Sequence, residues 1–127
     1  MVLPALKRAG YQAQRRYRLP DPFRPGRDHY LDVAVLQGSA PIGIAAKWQQ
    51  SSGTAEEKVV MEVLRLIKLV EGGRLDRGYV LLAGTGWSLR DYFLSGSFLK
   101  EFSSPAASRV RVVDLDALIA LINRGRL

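Results

Sequence analysis

Two stretches near the middle of the chain are apolar enough to be buried strands, yet each carries one charge. Tyr30-Leu31-Asp32-Val33-Ala34-Val35-Leu36 embeds Asp32, and Ile42-Gly43-Ile44-Ala45-Ala46-Lys47-Trp48-Gln49 embeds Lys47. Gly38-Ser39-Ala40-Pro41 between them is a turn signal, so His29–Leu36 and Ile42–Gln49 are expected to pair as an antiparallel hairpin. Such a hairpin can bring Asp32 and Lys47 to the same end of a sheet. An exposed edge ion pair would contribute less than about 1 kcal/mol. Two charges inside apolar strands, followed by Gln49-Gln50 and a helix signal, are more than that bland arrangement requires.

The elements around the hairpin define the fold class. Val2–Ala9 is expected to be a short helix closed by Gly10. Tyr11–Leu19 alternates as a strand, with Tyr11, Ala13, Arg15, Tyr17 and Leu19 on one face and Gln12, Gln14, Arg16 and Arg18 on a wet, basic one. Pro20, Pro22, Pro25 and Gly26 make a loop. Thr54 opens a helix to about Val70, with Thr54 and Glu57 in capping-box positions and Val60, Val63, Leu64, Ile67 and Val70 as an apolar stripe. Gly78–Ala83 is an apolar interior strand, and Trp87–Phe102 is helical with a break at Ser95-Gly96-Ser97. Val110–Val113 is a short strand and Asp114–Asn123 an amphipathic helix. The order α-β-β-β-α-β-α-β-α describes an α/β fold, a mixed central sheet flanked by helices, as a single domain over residues 1–127.

Charge narrows the partner. The chain of 127 residues has a net charge of +7, and residues 1–27 hold seven basic side chains against the single acid Asp21. Residues 28–127 are nearly balanced, 12 basic against 11 acidic. A field focused this way favours a polyanion such as nucleic acid; a solubilising surface in an Arg-rich chain is the competing account. The longest apolar run, Ala117–Ile122, is too short to span a membrane. Pro4, Lys7 and Arg8 interrupt any secretory signal in Met1–Gly10, so the cytoplasm is the expected compartment.

Several chemistries are excluded. There is no cysteine, which removes disulfides, zinc fingers and thiol nucleophiles, and the one histidine, His29, leaves no multi-histidine metal site. Gly84-Thr85-Gly86 lacks the remaining glycine of a dinucleotide fingerprint and reads as a tight strand-to-helix turn. Tyr11, Tyr17 and Trp48 are expected as core or edge aromatics.

From residue 1 to about 83 the chain resembles the PD-(D/E)XK nuclease superfamily of restriction-endonuclease-like enzymes. Asp32 takes the place of the first aspartate, Lys47 that of the lysine, and Gln49 that of a polar residue common just after it. The second acidic position falls on Ala45. The resemblance implies a restriction-endonuclease-like fold and a metal-dependent DNA endonuclease, with Asp32, Ala45, Lys47 and Gln49 at the catalytic positions. In such a site carboxylates hold Mg²⁺ or Mn²⁺, which polarises the scissile phosphate and lowers the pKa of the attacking water. Lysine stabilises the developing charge. With alanine at position 45 the cation is held weakly and cleavage is expected to be impaired.

Three accounts of Ala45 stand open: deliberate replacement of an acid, a pseudo-nuclease that kept the fold for binding, or a carboxylate moved to the following helix. For the last, Glu56 is the expected residue. Arg15, Arg16, Arg18, Arg24 and Arg27 are expected to contact DNA phosphates. A homodimer would supply the two cuts that a duplex needs. The alternative function is a nucleic-acid-binding module without chemistry.

Overall fold

The computed structural model describes residues 2–49 and 55–127. The elements run α1 (Val2–Arg8), β1 (Ala13–Pro20), β2 (Asp28–Val35), β3 (Ile42–Trp48), α2 (Ala55–Glu71), β4 (Arg77–Ala83), α3 (Arg90–Leu94), β5 (Val110–Asp114) and α4 (Leu115–Asn123). This is the expected order. Two 3₁₀ turns, Phe98–Glu101 and Pro105–Arg109, fill the segment between α3 and β5. The break foreseen at Ser95-Gly96-Ser97 separates α3 from the first of them. The capping residue Thr54 lies outside the described residues.

The strands form one sheet in the order β1-β2-β3-β4-β5. β1, β2 and β3 are antiparallel neighbours, while β3, β4 and β5 run parallel. A parallel neighbour needs a crossover, and α2 supplies it between β3 and β4. β4 is buried on both faces, as its unbroken apolar run requires. Its Val80 and Leu82 pack under α2, and Tyr79 and Leu81 pack against α1 and α4 on the other side. α4 is started by Asp114, whose Oδ1 accepts the Ala117 N–H at 2.8 Å and so satisfies one of the free donors of the first turn.

Two expectations from periodicity are corrected. The buried line of α2 runs through Val59, Glu62, Val63, Leu66 and Leu69, whereas Val60, Leu64 and Val70 are only half-buried. The stripe is rotated because Glu62 and Arg65, despite their charge, point inward. In β1 the alternation breaks at Arg16. Ala13 packs on the α1–α4 side and Tyr17 and Leu19 on the α2 side, although residues four apart in a regular strand share a face. Arg16 takes φ +50°, a left-handed conformation costly for a residue with a Cβ, and this turns the strand over. β2 turns with it, since Leu31 packs under α2 and Val33 on the opposite face. The residue between them is Asp32.

Candidate functional site

The site begins where the hairpin comes apart. The β2–β3 ladder covers only Val33–Val35 against Ile42–Ile44. Below it Asp28–Leu31 remain paired with β1, while Ala45–Trp48 remain paired with β4. Asp32 sits at the fork, exposed, and its Oδ2 accepts the Ala46 N–H at 2.7 Å. The carboxylate thus serves an amide that the parting strand leaves without a backbone acceptor.

On β3 the alternation is regular, so Ala45 and Lys47 face α2 together. Ala45 is 2% exposed among apolar neighbours and brings no oxygen to the site. Lys47 Nζ lies 2.9 Å from Glu62 Oε1, and His29 Nε2 lies 3.0 Å from Glu62 Oε2. Glu62 is 1% exposed, on the α2 turn that faces the fork. Burial pushes its carboxyl up, but the His29 contact and the Lys47 charge outweigh burial and hold it below the ordinary glutamate value. Arg65, one turn on, approaches Glu62 and Asp21 only to 3.7 Å, and its buried Nε has no hydrogen-bond partner among the described residues.

Above these groups is an open cavity of about 430 Å³ lined by Arg24, His29, Lys47, Lys58, Met61 and Arg65, with Glu57 and Glu62. The loop bearing Arg24 and Arg27 is pinned by Asp21, whose Oδ1 accepts the Phe23 N–H and whose own N–H donates to the Arg27 carbonyl. Arg15, Arg16 and Arg18 stand exposed on β1, with the Arg16 guanidinium 4.6 Å over the Tyr30 ring.

Two of the expected residues face elsewhere. Glu56 accepts from Ser88 Oγ at 2.8 and 2.9 Å and from the Leu89 N–H at 2.8 Å. Those bonds, the Leu89 amide first, draw its carboxyl below the ordinary value and tie it to the loop before α3. The carboxylate that α2 brings to Lys47 is Glu62 instead. The signal for it in the sequence is a charge three residues after Val59 and four before Leu66, on the buried line of the helix. Gln49 donates its side-chain N–H to the Gly86 carbonyl at 2.7 Å, and its own carbonyl accepts the Gly86 N–H at 3.0 Å. A Cβ at Gly84, which takes φ +89°, would run into the Gln49 carbonyl oxygen. The Gly84-Thr85-Gly86 turn therefore seats Gln49 and leaves no room for a side chain at position 84.

Among the described residues no group of three or more His, Cys, Asp and Glu side chains is placed to hold a metal ion. A dedicated protein cage for calcium or zinc is not what these groups build. Mg²⁺ asks less, because it keeps several waters and is commonly bound through one or two carboxylates plus substrate phosphates. Asp32 fits that demand with Oδ1, which has no hydrogen-bond partner among the described residues, and Glu62 is the second candidate ligand on release from Lys47 and His29.

An acid and a lysine thus stand at the parting of two strands, beside a cavity rich in basic side chains, in a mixed α/β sheet. The PD-(D/E)XK nuclease superfamily domain matches residues 25–126, and the chain belongs to that superfamily. The fold is also similar to the crystal structure of AF1548, a protein of unknown function, at a TM-score of 0.58 and 10% identity. That match covers 98% of this chain and 64% of AF1548, so the chain spans under two-thirds of that protein's length. No curated protein matches the sequence. No described helix is long and apolar enough to cross a membrane.

Proposed function

We propose that this chain is a metal-dependent DNA endonuclease, hydrolysing phosphodiesters, whose cleavage is impaired because Ala45 supplies no carboxylate. The observation that carries this reading is the placement of Asp32 and Lys47 at the fork between β2 and β3, with Glu62 beside the lysine. Asp32, helped by Glu62, would hold Mg²⁺ or Mn²⁺; when bound, the cation polarises the phosphate and acidifies a water. Lys47 places a positive charge, one-quarter exposed, where negative charge develops on the phosphoryl oxygens. Glu62 keeps the lysine side chain from wandering, and His29 holds Glu62 from the other side. Gln49 acts as a brace between β3 and the turn after β4. Arg15, Arg16, Arg18, Arg24 and Arg27 position the DNA backbone without reading sequence.

The engagement of both Glu62 oxygens by Lys47 and His29 favours a second reading, a binding module without chemistry. Plasmid nicking in Mg²⁺ and in Mn²⁺ separates the two, comparing the chain with Ala45→Glu after circular dichroism has shown that the variant folds. Chelator-sensitive nicking, at least about tenfold faster in Ala45→Glu, supports the impaired nuclease; a tenfold gain corresponds to about 1.4 kcal/mol of barrier. No nicking by either protein, with retained salt-sensitive DNA binding, supports the binding module.

A further inference from the structure

We propose that a second pocket, on the face of the sheet opposite Lys47, binds an unpaired nucleobase by stacking on Trp48. This inference rests on the reading that Lys47 meets a phosphate. Successive residues of a strand point to opposite faces, so Trp48 projects away from α2, toward α4. The last β3 residue in the cluster under α1 and α4 is Ile44; at the strand's end the indole is left 64% exposed. It does not behave as the core or edge aromatic expected from sequence. It walls an open cavity of about 240 Å³, with Leu82, Ala83 and Gly84 at the end of β4 and Arg90, Asp114, Leu115 and Asp116 around the rim.

The chemistry of the rim selects the ligand. Arg90 is engaged by Asp114 at 2.8 Å, so its charge is neutralised locally. Asp116 is exposed and has no ion-pair or hydrogen-bond partner among the described residues. Carboxylates repel phosphate, which makes this a poor backbone site despite the positive charge of the chain. They accept N–H groups, however, and the exocyclic amines of cytosine, adenine and guanine supply them. An aromatic face with acceptors at its edge and a volume below that of ordinary ligand clefts (about 300–1,000 Å³) fits one planar base.

A nucleic-acid strand crossing the end of β3 would set its phosphate toward Lys47 and its base toward Trp48. In an intact duplex that base is paired and stacked within the helix. The pocket therefore fills only with single-stranded nucleic acid or with a nucleotide extruded from a duplex.

Intrinsic fluorescence tests this with chelator present, so that cleavage plays no part. The other indole, Trp87, is buried and donates to the Ala83 carbonyl, so quenching by a base reports on Trp48. The protein is titrated with an oligodeoxycytidylate dodecamer and with a duplex of the same length. The single strand should quench the emission, and Trp48→Ala should weaken its binding about tenfold, the scale of one lost stacking contact. Trp48→Tyr should restore most of that loss, duplex affinity should change less than about twofold, and Asp116→Ala should weaken oligodeoxycytidylate more than oligothymidylate. Single-strand binding without quenching, or unaltered by Trp48→Ala, overturns the base pocket and leaves the nuclease reading intact. Failure to bind either form of DNA overturns both.

Discussion

Replacing Glu62 by glutamine removes one charge from the centre of the site while keeping its shape. In the wild type each carboxylate oxygen meets one positive or polar nitrogen, Lys47 at 2.9 Å and His29 at 3.0 Å. The glutamine amide retains one acceptor and turns an NH₂ toward the other nitrogen. Buried hydrogen bonds to charged groups contribute about 1.5–3 kcal/mol each. The side chains of Lys47 and His29 are 25% and 18% exposed, so water recovers part of the loss. A net destabilisation of about 2 kcal/mol follows, roughly 6–8 °C in Tm for a chain of this size. Its pH dependence has a definite sign. The folded carboxyl of Glu62 lies below its ordinary value of 4.5, so on acidification the unfolded chain takes up the proton first. The stabilisation is complete above that value and is lost as pH falls through the folded pKa. Urea unfolding of both proteins at pH 7 and at steps below pH 4.5 measures the difference. Equal stability at pH 7, or a difference that does not shrink on acidification, would refute the reasoning.

Three further outcomes follow from the geometry. Gly84→Ala should cost at least about 2 kcal/mol, because the new Cβ meets the Gln49 carbonyl in a left-handed backbone conformation; thermal melts check this, and a change below 0.5 kcal/mol on the order of surface substitutions would count against it. Arg15→Ala and Arg27→Ala should each lower the slope of log affinity against log salt by about 1 while leaving sequence preference unchanged, as phosphate contacts do. Filter binding over a range of salt shows whether they do. Lys47→Ala should slow metal-dependent nicking by about 100-fold or more, the scale of losing a single preorganised charge contact, with duplex affinity nearly intact; equal losses in both would make Lys47 a binding residue only.

Much of this molecule can be read from residue order. The hairpin strands announce themselves by apolar runs around a Gly–Pro turn, and the embedded charges Asp32 and Lys47 mark the end of the sheet at which the strands part. What pattern could not show lies in how faces turn. Periodicity assumes that a strand keeps its faces, and Arg16 breaks that rule by one positive φ angle, taking β2 over with it at Asp32. Periodicity also assumes that charges face water. Glu62 faces inward because Lys47 and His29 wait for it there, contacts made by residues 15 and 33 positions away. Glu56 follows the same logic in reverse, since Ser88 and the Leu89 amide, brought close only by the fold, hold it away from the cavity. Trp48 is exposed because α1 and α4 stop covering β3 after Ile44, a fact of element length and packing with no trace in the strand itself.

The most direct test of the central claim is nicking of supercoiled plasmid in Mn²⁺ by the chain and by Asp32→Asn. Asp32 is exposed and, among the described residues, accepts one hydrogen bond, from the Ala46 N–H, so the variant should fold with a loss of about 1 kcal/mol. Slow, chelator-sensitive nicking by the chain and none by Asp32→Asn is the expected result. Nicking at the same rate by both proteins would contradict a nuclease centre at the fork between β2 and β3.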